Sequence, residues 1–251
     1  MRVLLRDGAA GREYEETFDL VVGADGMRST VRRLVFGPHE DHLTDWHAII
    51  CAFQLDEQVP SYAPQDSITS ARAGRAAWVF GLADRTPTAL LTYRVSDTAA
   101  EFDGNRFERV RAAFAGMDDP VVRHLLGSLE RAPEFLFDSV HQVTMPKWSA
   151  GRVVLTGDAA WCMNLYSVMG ASSALRGGVA LGTALGRRPD DVRGALAEWE
   201  ADLRPAFRKH QRIARLKQQM FVPSGRATEM LRSSVVRFAG RTRVRTSAQV
   251  G

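Results

Sequence analysis

Long apolar runs are missing from this sequence. None of its 251 residues belongs to an uninterrupted apolar stretch of 18, which a helix needs to cross a bilayer. Nor does a basic, apolar and small-residue pattern of a secretory signal open the chain. The expectation is a soluble, cytoplasmic protein without membrane contact. Cysteine is scarce too. Cys51 and Cys162 are too few for a disulfide framework or a metal-ligand cluster, so two reduced, buried thiols and no metal are expected. Acidic residues are nearly absent from residues 203–251, where Glu229 stands against twelve of the 33 Lys and Arg. No aromatic residues interleave with those cations as they do in nucleic-acid binders, which argues for a solvated helical face and against a nucleic-acid partner. Internal repeats are absent.

Apolar content is ample. At 45% hydrophobic composition the chain can bury a core in one or two domains. The most informative stretch is 150–185. Arg152 to Thr156 is a short β-branched run that reads as a buried strand, Gly157 and Asp158 end it, and a small-residue helix spans about Ala171 to Leu185. An acidic turn at the end of a strand, followed by a helix N-terminus, is one way to build a site for a polar or anionic cofactor. Asp158 can accept hydrogen bonds from ribose or ribityl hydroxyls, and Gly170 lets backbone approach a flat ring. A buried strand–helix unit whose Asp only caps a turn is the alternative, and spacing does not separate the two.

Residues 1–19 read as a hairpin turning at Asp7 to Gly11, followed by a buried strand at Leu20 to Val22 and a short helix over Ser29 to Val35 with Ser29 as its cap. Trp46 to Leu55, Asp66 to Ala73, Arg75 to Leu82 and Thr88 to Val95 read as a β-meander. Trp78 and Phe80 share one face of it by the two-residue period, either lining a substrate pocket or packing in the core. Helices are expected at Phe107 to Phe114 and Val121 to Ser128, the second started by Asp118, Asp119 and Pro120. A strand follows at Phe135 to Val143. It contains His141, either a pocket acid/base or a structural histidine. From Asp190 the chain is helical, with Val192, Leu196, Trp199 and Leu203 on one stripe. Pro205 should kink or restart that helix. Residues 241–251 are polar and expected to be loose.

Two stretches carry a family resemblance. Gly151 to Ala160, GRVVLTGDAA, resembles the GD motif of the FAD-dependent aromatic hydroxylases, the flavoprotein monooxygenases related to p-hydroxybenzoate hydroxylase. Leu20 to Arg32, LVVGADGMRSTVR, resembles that family's DG motif through Asp25, Gly26, Arg28, Ser29 and Arg32. Trp148 before Gly151 fits the lead-in to the GD motif. EWEADLRPAFRKHQ resembles the family's later helix, with Trp199 in a tyrosine position. The motifs stand in the family's order, and the resemblance covers nearly the whole chain.

The resemblance implies an α+β, p-hydroxybenzoate-hydroxylase-like fold. Residues 1–45 and 141–188 would form a partial FAD-binding domain, 46–140 a substrate-domain sheet with helices, and 189–251 the C-terminal helices. It implies FAD as cofactor and NAD(P)H as co-substrate. Asp25, Gly26, Arg28, Gly157, Asp158, Ala159, Ala160 and Gly170 would contact the cofactor, and Trp78, Phe80, His141, Trp161 and Tyr166 would line a substrate pocket. No catalytic residue is assigned. Arg28, Arg32 and Arg33 would either recognise the nicotinamide nucleotide or lie as ordinary surface charge. The reaction implied is hydroxylation or epoxidation of an aromatic or polyketide-like molecule with O2, of the kind met in secondary metabolism.

The sequence also departs from the family. The G-x-G-x-x-G unit that holds the FAD pyrophosphate has no counterpart in these 251 residues. Without that unit the GD-motif strand would show an open edge, and a partner chain could supply the unit. Trp161 replaces a histidine, Asn164 and Leu165 stand where the family has proline, and Val168 and Met169 stand in the glycine-rich loop. Gly177 replaces an aspartate. Val168 is the sharpest departure, because a β-branched residue is disfavoured wherever φ must be positive. Two further readings stay open on these grounds: a non-redox cyclase or isomerase on the same scaffold, and a non-catalytic subunit.

Overall fold

The structure is a computed structural model that describes residues 1–82 and 84–235. In chain order the elements are β1 (Arg2–Arg6), β2 (Glu13–Thr17), β3 (Val21–Gly23), α1 (Thr30–Phe36), β4 (Leu43–Gln54), β5 (Ile68–Arg72), β6 (Arg75–Leu82), β7 (Arg85–Arg94), α2 (Arg106–Ala113), α3 (Pro120–Arg131), β8 (Leu136–Val143), β9 (Ser149–Ala150), β10 (Val153–Leu155), α4 (Asp158–Trp161), α5 (Gly170–Arg187) and α6 (Val192–Phe221). Residues 226–235 form a further helix, α7. Helices and antiparallel sheet mix as an α+β fold. The described residues divide into two compact units, 1–44 with 141–214, and 45–140 with 215–235. The segment 241–251, expected to be loose, lies outside the described residues.

The first unit holds the DG and GD motifs. Its β1–β2 hairpin is antiparallel, and its small sheet runs in the order β3-β10-β9. β10 lies parallel to β3 and antiparallel to β9, so the GD-motif strand is paired on both sides and the open edge belongs to β3. That corrects the expectation above. β9, two residues immediately upstream, folds back and covers the edge that β10 was expected to show. The open edge also explains why Val22, expected to be buried, is exposed. The β10 side chains Val154 and Leu155 are buried with Trp148, Trp161, Leu196, Trp199, Leu203 and Phe207. The rings of Trp148 and Trp161 lie 4.4 Å apart, and those of Trp161 and Phe207 4.8 Å.

α6 runs on through Pro205. Proline removes one helical hydrogen bond and clashes with the preceding turn, at about 3 kcal/mol. Contacts on either side offset this. Trp199, Leu203 and Phe207 are buried. Arg204 Nη1 donates to the Met145 carbonyl (2.8 Å), and Gln211 Nε2 to the Val143 carbonyl (2.7 Å).

In the second unit the five-stranded sheet has the order β5-β6-β7-β4-β8. The two-residue alternation gives it two faces. Ile49, Cys51, Phe53, Ala77, Val79, Leu91 and Tyr93 pack against Val110 of α2, Phe114 at its C-cap, and Val122, Leu125 and Leu129 of α3. α3 starts as its sequence dictates, with Asp119 capping the Val121 N–H and Pro120 in the first turn. The opposite face carries Trp78, half-buried, and Phe80, exposed.

Candidate functional site

The DG segment folds around the Asp25 carboxylate. It accepts from the Ser29 hydroxyl (2.5 Å) and from the backbone N–H groups of Thr30 (2.7 Å) and Val31 (3.1 Å). Burial pushes this carboxyl's pKa up, but the bonds from Ser29, Val31 and Thr30 together outweigh it and hold the pKa below the usual carboxylate value. Ser29 in turn caps α1 by accepting from the Arg32 N–H (2.9 Å). Asp25 therefore organises the turn and the helix start. Gly26 next to it has φ +83°, which glycine adopts at little cost, and nothing lies within 4 Å of where its Cβ would stand.

Arg32 is fully buried and joins the two motifs. Its Nη1 donates to the Ala159 carbonyl of the GD segment (2.9 Å). Its Nη2 donates to the Met27 carbonyl (2.6 Å) and to His39 Nδ1 (3.1 Å). Burial lowers its pKa, and the nearby Asp25 carboxylate opposes that. Neither surface charge nor nucleotide recognition, the two readings of the sequence, describes this arginine. Hydropathy gives no hint of it either, since its helix neighbours Leu34 and Val35 face solvent. Its place in the DG motif was the only signal. Arg28 and Arg33 are exposed.

Where β10 ends, Gly157 at φ +60° turns the chain into the single turn of α4. Asp158 opens on a cleft of about 500 Å³. Ala24 and Gly26 line it on one side, Thr156 and Gly157 beneath, and Ala174, Leu175, Gly178 and Val179 of α5 on the other. Protein packed around the Asp158 carboxyl raises its pKa, and a hydrogen bond with the Cys162 thiol pulls the other way. That thiol is itself pushed up to about 12, by burial first and then by Asp158. Thr156 Oγ1 is buried with no hydrogen-bond partner among the described residues. The sequence analysis did not single out Thr156, Ala174 or Gly178. Small residues at four-residue steps from Gly170 were the available sign, since they leave one face of α5 low enough for a ligand.

Of the expected cofactor residues, Gly26, Gly157 and Asp158 share this cleft. Ala159 and Ala160 are buried within α4. Gly170 begins α5 without a side-chain cap bond. Before it, Val168 sits at φ 60°, ψ 13°, the left-handed region that a β-branched residue disfavours, and it is 68% exposed. The loop is fixed from within. Tyr166 N donates to Asn164 Oδ1 (2.9 Å), the Ser167 hydroxyl to the Asn164 carbonyl (3.0 Å), and Met169 N to Ser167 Oγ (3.1 Å). The loop thus keeps a glycine-like backbone with valine in it.

The expected pocket residues fall into separate groups. Trp161 and Tyr166 are buried in the first unit, with Trp161 inside the aromatic core and not at a pocket wall. His141 is half-buried on β8, its carbonyl 3.8 Å from Cys162 Sγ and its Nδ1 buried without a partner among the described residues. Trp78 and Phe80 lie in the second unit, on the sheet face away from the helix-packed core. Their rings are stacked at 6.4 Å, and Phe221 lies 4.8 Å from Trp78.

Two motifs joined by a buried arginine around an acidic cleft, with an antiparallel sheet carried between them, define a flavoprotein-hydroxylase fold. The sequence profile of the family described as FAD binding domain matches residues 1–191. The chain belongs to that family, whose relatives include flavin-dependent monooxygenases. An uncharacterized protein of Mycobacterium tuberculosis is 35% identical over 213 residues, 81% of this chain and 54% of that one. A flavin-dependent monooxygenase from an unknown prokaryotic organism is 30% identical over 206 residues, 78% of this chain and 51% of its own. Among solved structures, the tetracycline destructase Tet(55) superposes with a TM-score of 0.73 at 24% identity, covering 94% of this chain and 62% of its own. The chain thus spans about half the length of the curated relatives it matches.

Proposed function

We propose that this chain is the flavin-site and substrate-sheet portion of an FAD-dependent monooxygenase that oxidises an aromatic or polyketide-like small molecule with NAD(P)H and O2. One observation carries the reading: Asp158 stands just past the carboxyl end of β10, in a cleft lined largely by glycine and alanine. The cleft fits part of FAD. Asp158 offers hydrogen bonds to polyol hydroxyls, and Gly26 and Gly178 leave open the space a Cβ would fill. It does not fit the pyrophosphate, because none of the described residues lining it is a cation. Bound FAD would supply the oxygen chemistry. Asp158 would hold the polyol, Arg32 would fix the DG turn against the GD turn, and α5 would wall the cleft. Residues 1–45 and 141–188 serve the cofactor on this reading, and on the 46–140 sheet the exposed Phe80, stacked beside Trp78, offers flat apolar surface to substrate.

The rest of the cofactor site must come from a βαβ unit with a phosphate-binding glycine turn, carried on the same polypeptide or on a partner chain. The open parallel edge at β3 can take its strand. Leu175 and Val179, 73% and 72% exposed on α5, would be covered by the bound cofactor. A non-redox or non-catalytic role gains no support from the altered loop, because Val168 itself takes up the left-handed backbone that suits glycine.

FAD titration followed by flavin fluorescence tests the proposal. Asp158→Ala removes a charge-assisted hydrogen bond worth about 1.5–3 kcal/mol, so affinity should fall roughly 10- to 150-fold. Equal affinity of the two proteins would remove Asp158 from the cofactor role. The chain by itself should lose its flavin on desalting, since nothing lining the cleft pairs with the pyrophosphate.

A further inference from the structure

We infer that Arg232 is a specificity-determining residue, selecting as substrate an aromatic ring that carries an acidic oxygen, such as a ring carboxylate. The inference rests on the reading of Phe80 as substrate surface and names the class of molecule which that surface takes. Arg232 lies on α7 and is 6% exposed, whereas Met230 and Leu231 beside it are 72% and 66% exposed. Arginine is almost never fully buried unless it is paired. Arg232 is buried without a carboxylate. Its Nε donates to the Met220 carbonyl (2.7 Å) and its Nη2 to Thr69 Oγ1 (2.6 Å), both neutral acceptors, and its Nη1 donates to no described residue. The acid nearest in sequence, Glu229, has both oxygens engaged, one by Arg72 (3.2 Å) and the other by the Ala73 N–H (2.9 Å). Burial lowers the Arg232 pKa, and the charge of Glu229 opposes that. A buried cation in this state lacks the counter-charge that would offset its loss of water.

The surroundings of this cation select the ligand. The guanidinium stands 5.5 Å from the Trp78 ring centre. Thr69 on β5 and Trp78 on β6 are cross-strand partners, so they share a face of the sheet. Phe80 lies on the same face by the two-residue period, 38% exposed and stacked on Trp78 with 11° between the planes. Trp78 Nε1 is buried and donates to no described residue. One cluster thus holds an aromatic wall, a cation without an anion and an unmet N–H group. A plain hydrocarbon ring would meet only the wall. Water would supply an acceptor but no charge. An aromatic acid answers to the wall and the cation together, its ring stacking on Phe80 and its acidic oxygen accepting a charge-assisted bond from the guanidinium. A site built around such a donor discriminates against the analogue that lacks the acceptor far more strongly than an apolar wall discriminates between rings.

The experiment measures the binding of 2-naphthoate and 2-naphthamide, a matched acid and amide, through the fluorescence of the ligands. The acid should bind at least about tenfold more tightly than the amide, since only the acid brings a charge to the guanidinium. Arg232→Gln should remove that preference and leave the affinity for the amide unchanged. Arg232→Lys keeps the charge and should keep the acid ahead, so a Gln variant that fails to fold does not end the test. Phe80→Ala should weaken both ligands alike. Equal binding of acid and amide by the wild-type chain overturns the inference and leaves the flavin reading standing. So does a preference for the acid that survives in a folded Arg232→Gln variant. Binding of neither ligand overturns the inference together with the substrate role of Phe80, while the FAD titration judges Asp158 independently.

Discussion

Gly177 lies flat against the indole of Trp161: a Cβ built on it would stand 2.5 Å from Trp161 Cζ2 and 2.7 Å from Cη2. The Gly177 carbonyl also accepts from Trp199 Nε1 (3.0 Å). Each residue departs from the family pattern, and together they form one packing solution. The larger ring at 161 occupies the space that any side chain at 177 would need. Gly177→Ala should therefore destabilise the protein by about 1–3 kcal/mol through overpacking, although alanine is the better helix former. Gly178→Ala, with nothing within 4 Å, should stabilise it by about 0.5–1 kcal/mol. Opposite shifts in melting temperature from adjacent residues are the expected result. Equal shifts would mean that the tryptophan yields.

Val168 should be easy to improve. A left-handed backbone costs an L-residue roughly 1–2 kcal/mol, and asparagine visits that region readily. The side chain is mostly exposed, so little burial is lost. Val168→Asn should raise stability by about 1 kcal/mol in urea melts, whereas Val168→Ile, which keeps the branch, should not.

Arg32 should tolerate no replacement. Arg32→Met leaves the Ala159 and Met27 carbonyls and the Asp25 carboxylate without their cation. A loss of about 3 kcal/mol or more is expected. Arg32→Lys should recover little, since one ammonium cannot span partners that the planar guanidinium reaches at once. Full recovery by lysine would show that charge alone matters there.

Asp158 should trade stability for binding. Its folded pKa is raised, so the stability linked to it is complete below the ordinary carboxylate pKa and is lost as pH rises through the raised value. At pH 7 the ionised carboxylate is a liability to the fold. Asp158→Asn should melt higher at pH 7, by about 1–4 °C, and the difference should vanish as pH falls toward about 4. A lower melting temperature for the variant at pH 7 would reverse the assigned direction.

Much of the fold was legible because its signals are local. Ser29 and Asp119 cap helices where a polar residue precedes an apolar run, and the β-meander follows from alternation broken at Gly74. In the cleft, Gly26, Gly157 and Asp158 were legible through the two motifs. What stayed hidden depends on contacts distant in sequence. α6 passes Pro205 because residues 143–161 hold it on both sides. Arg32 is buried because a carbonyl 127 positions away needs a donor. Trp161 looked like a pocket residue because nothing local reveals that Gly177 makes room for it. α7 runs against hydropathy at Arg232, which is buried while Met230 and Leu231 beside it are exposed.

The bare edge of β3 bears on how the chain behaves in a tube or a cell. β3 is paired on one side only, with β10, and Val22 is exposed on it; such an edge templates an extended segment that meets it. Produced without a covering unit, the chain will select its own neighbours as substitutes. Yield will fall with concentration and temperature before the fold itself melts. Solubility, more than stability, will then report whether the cofactor half has been completed.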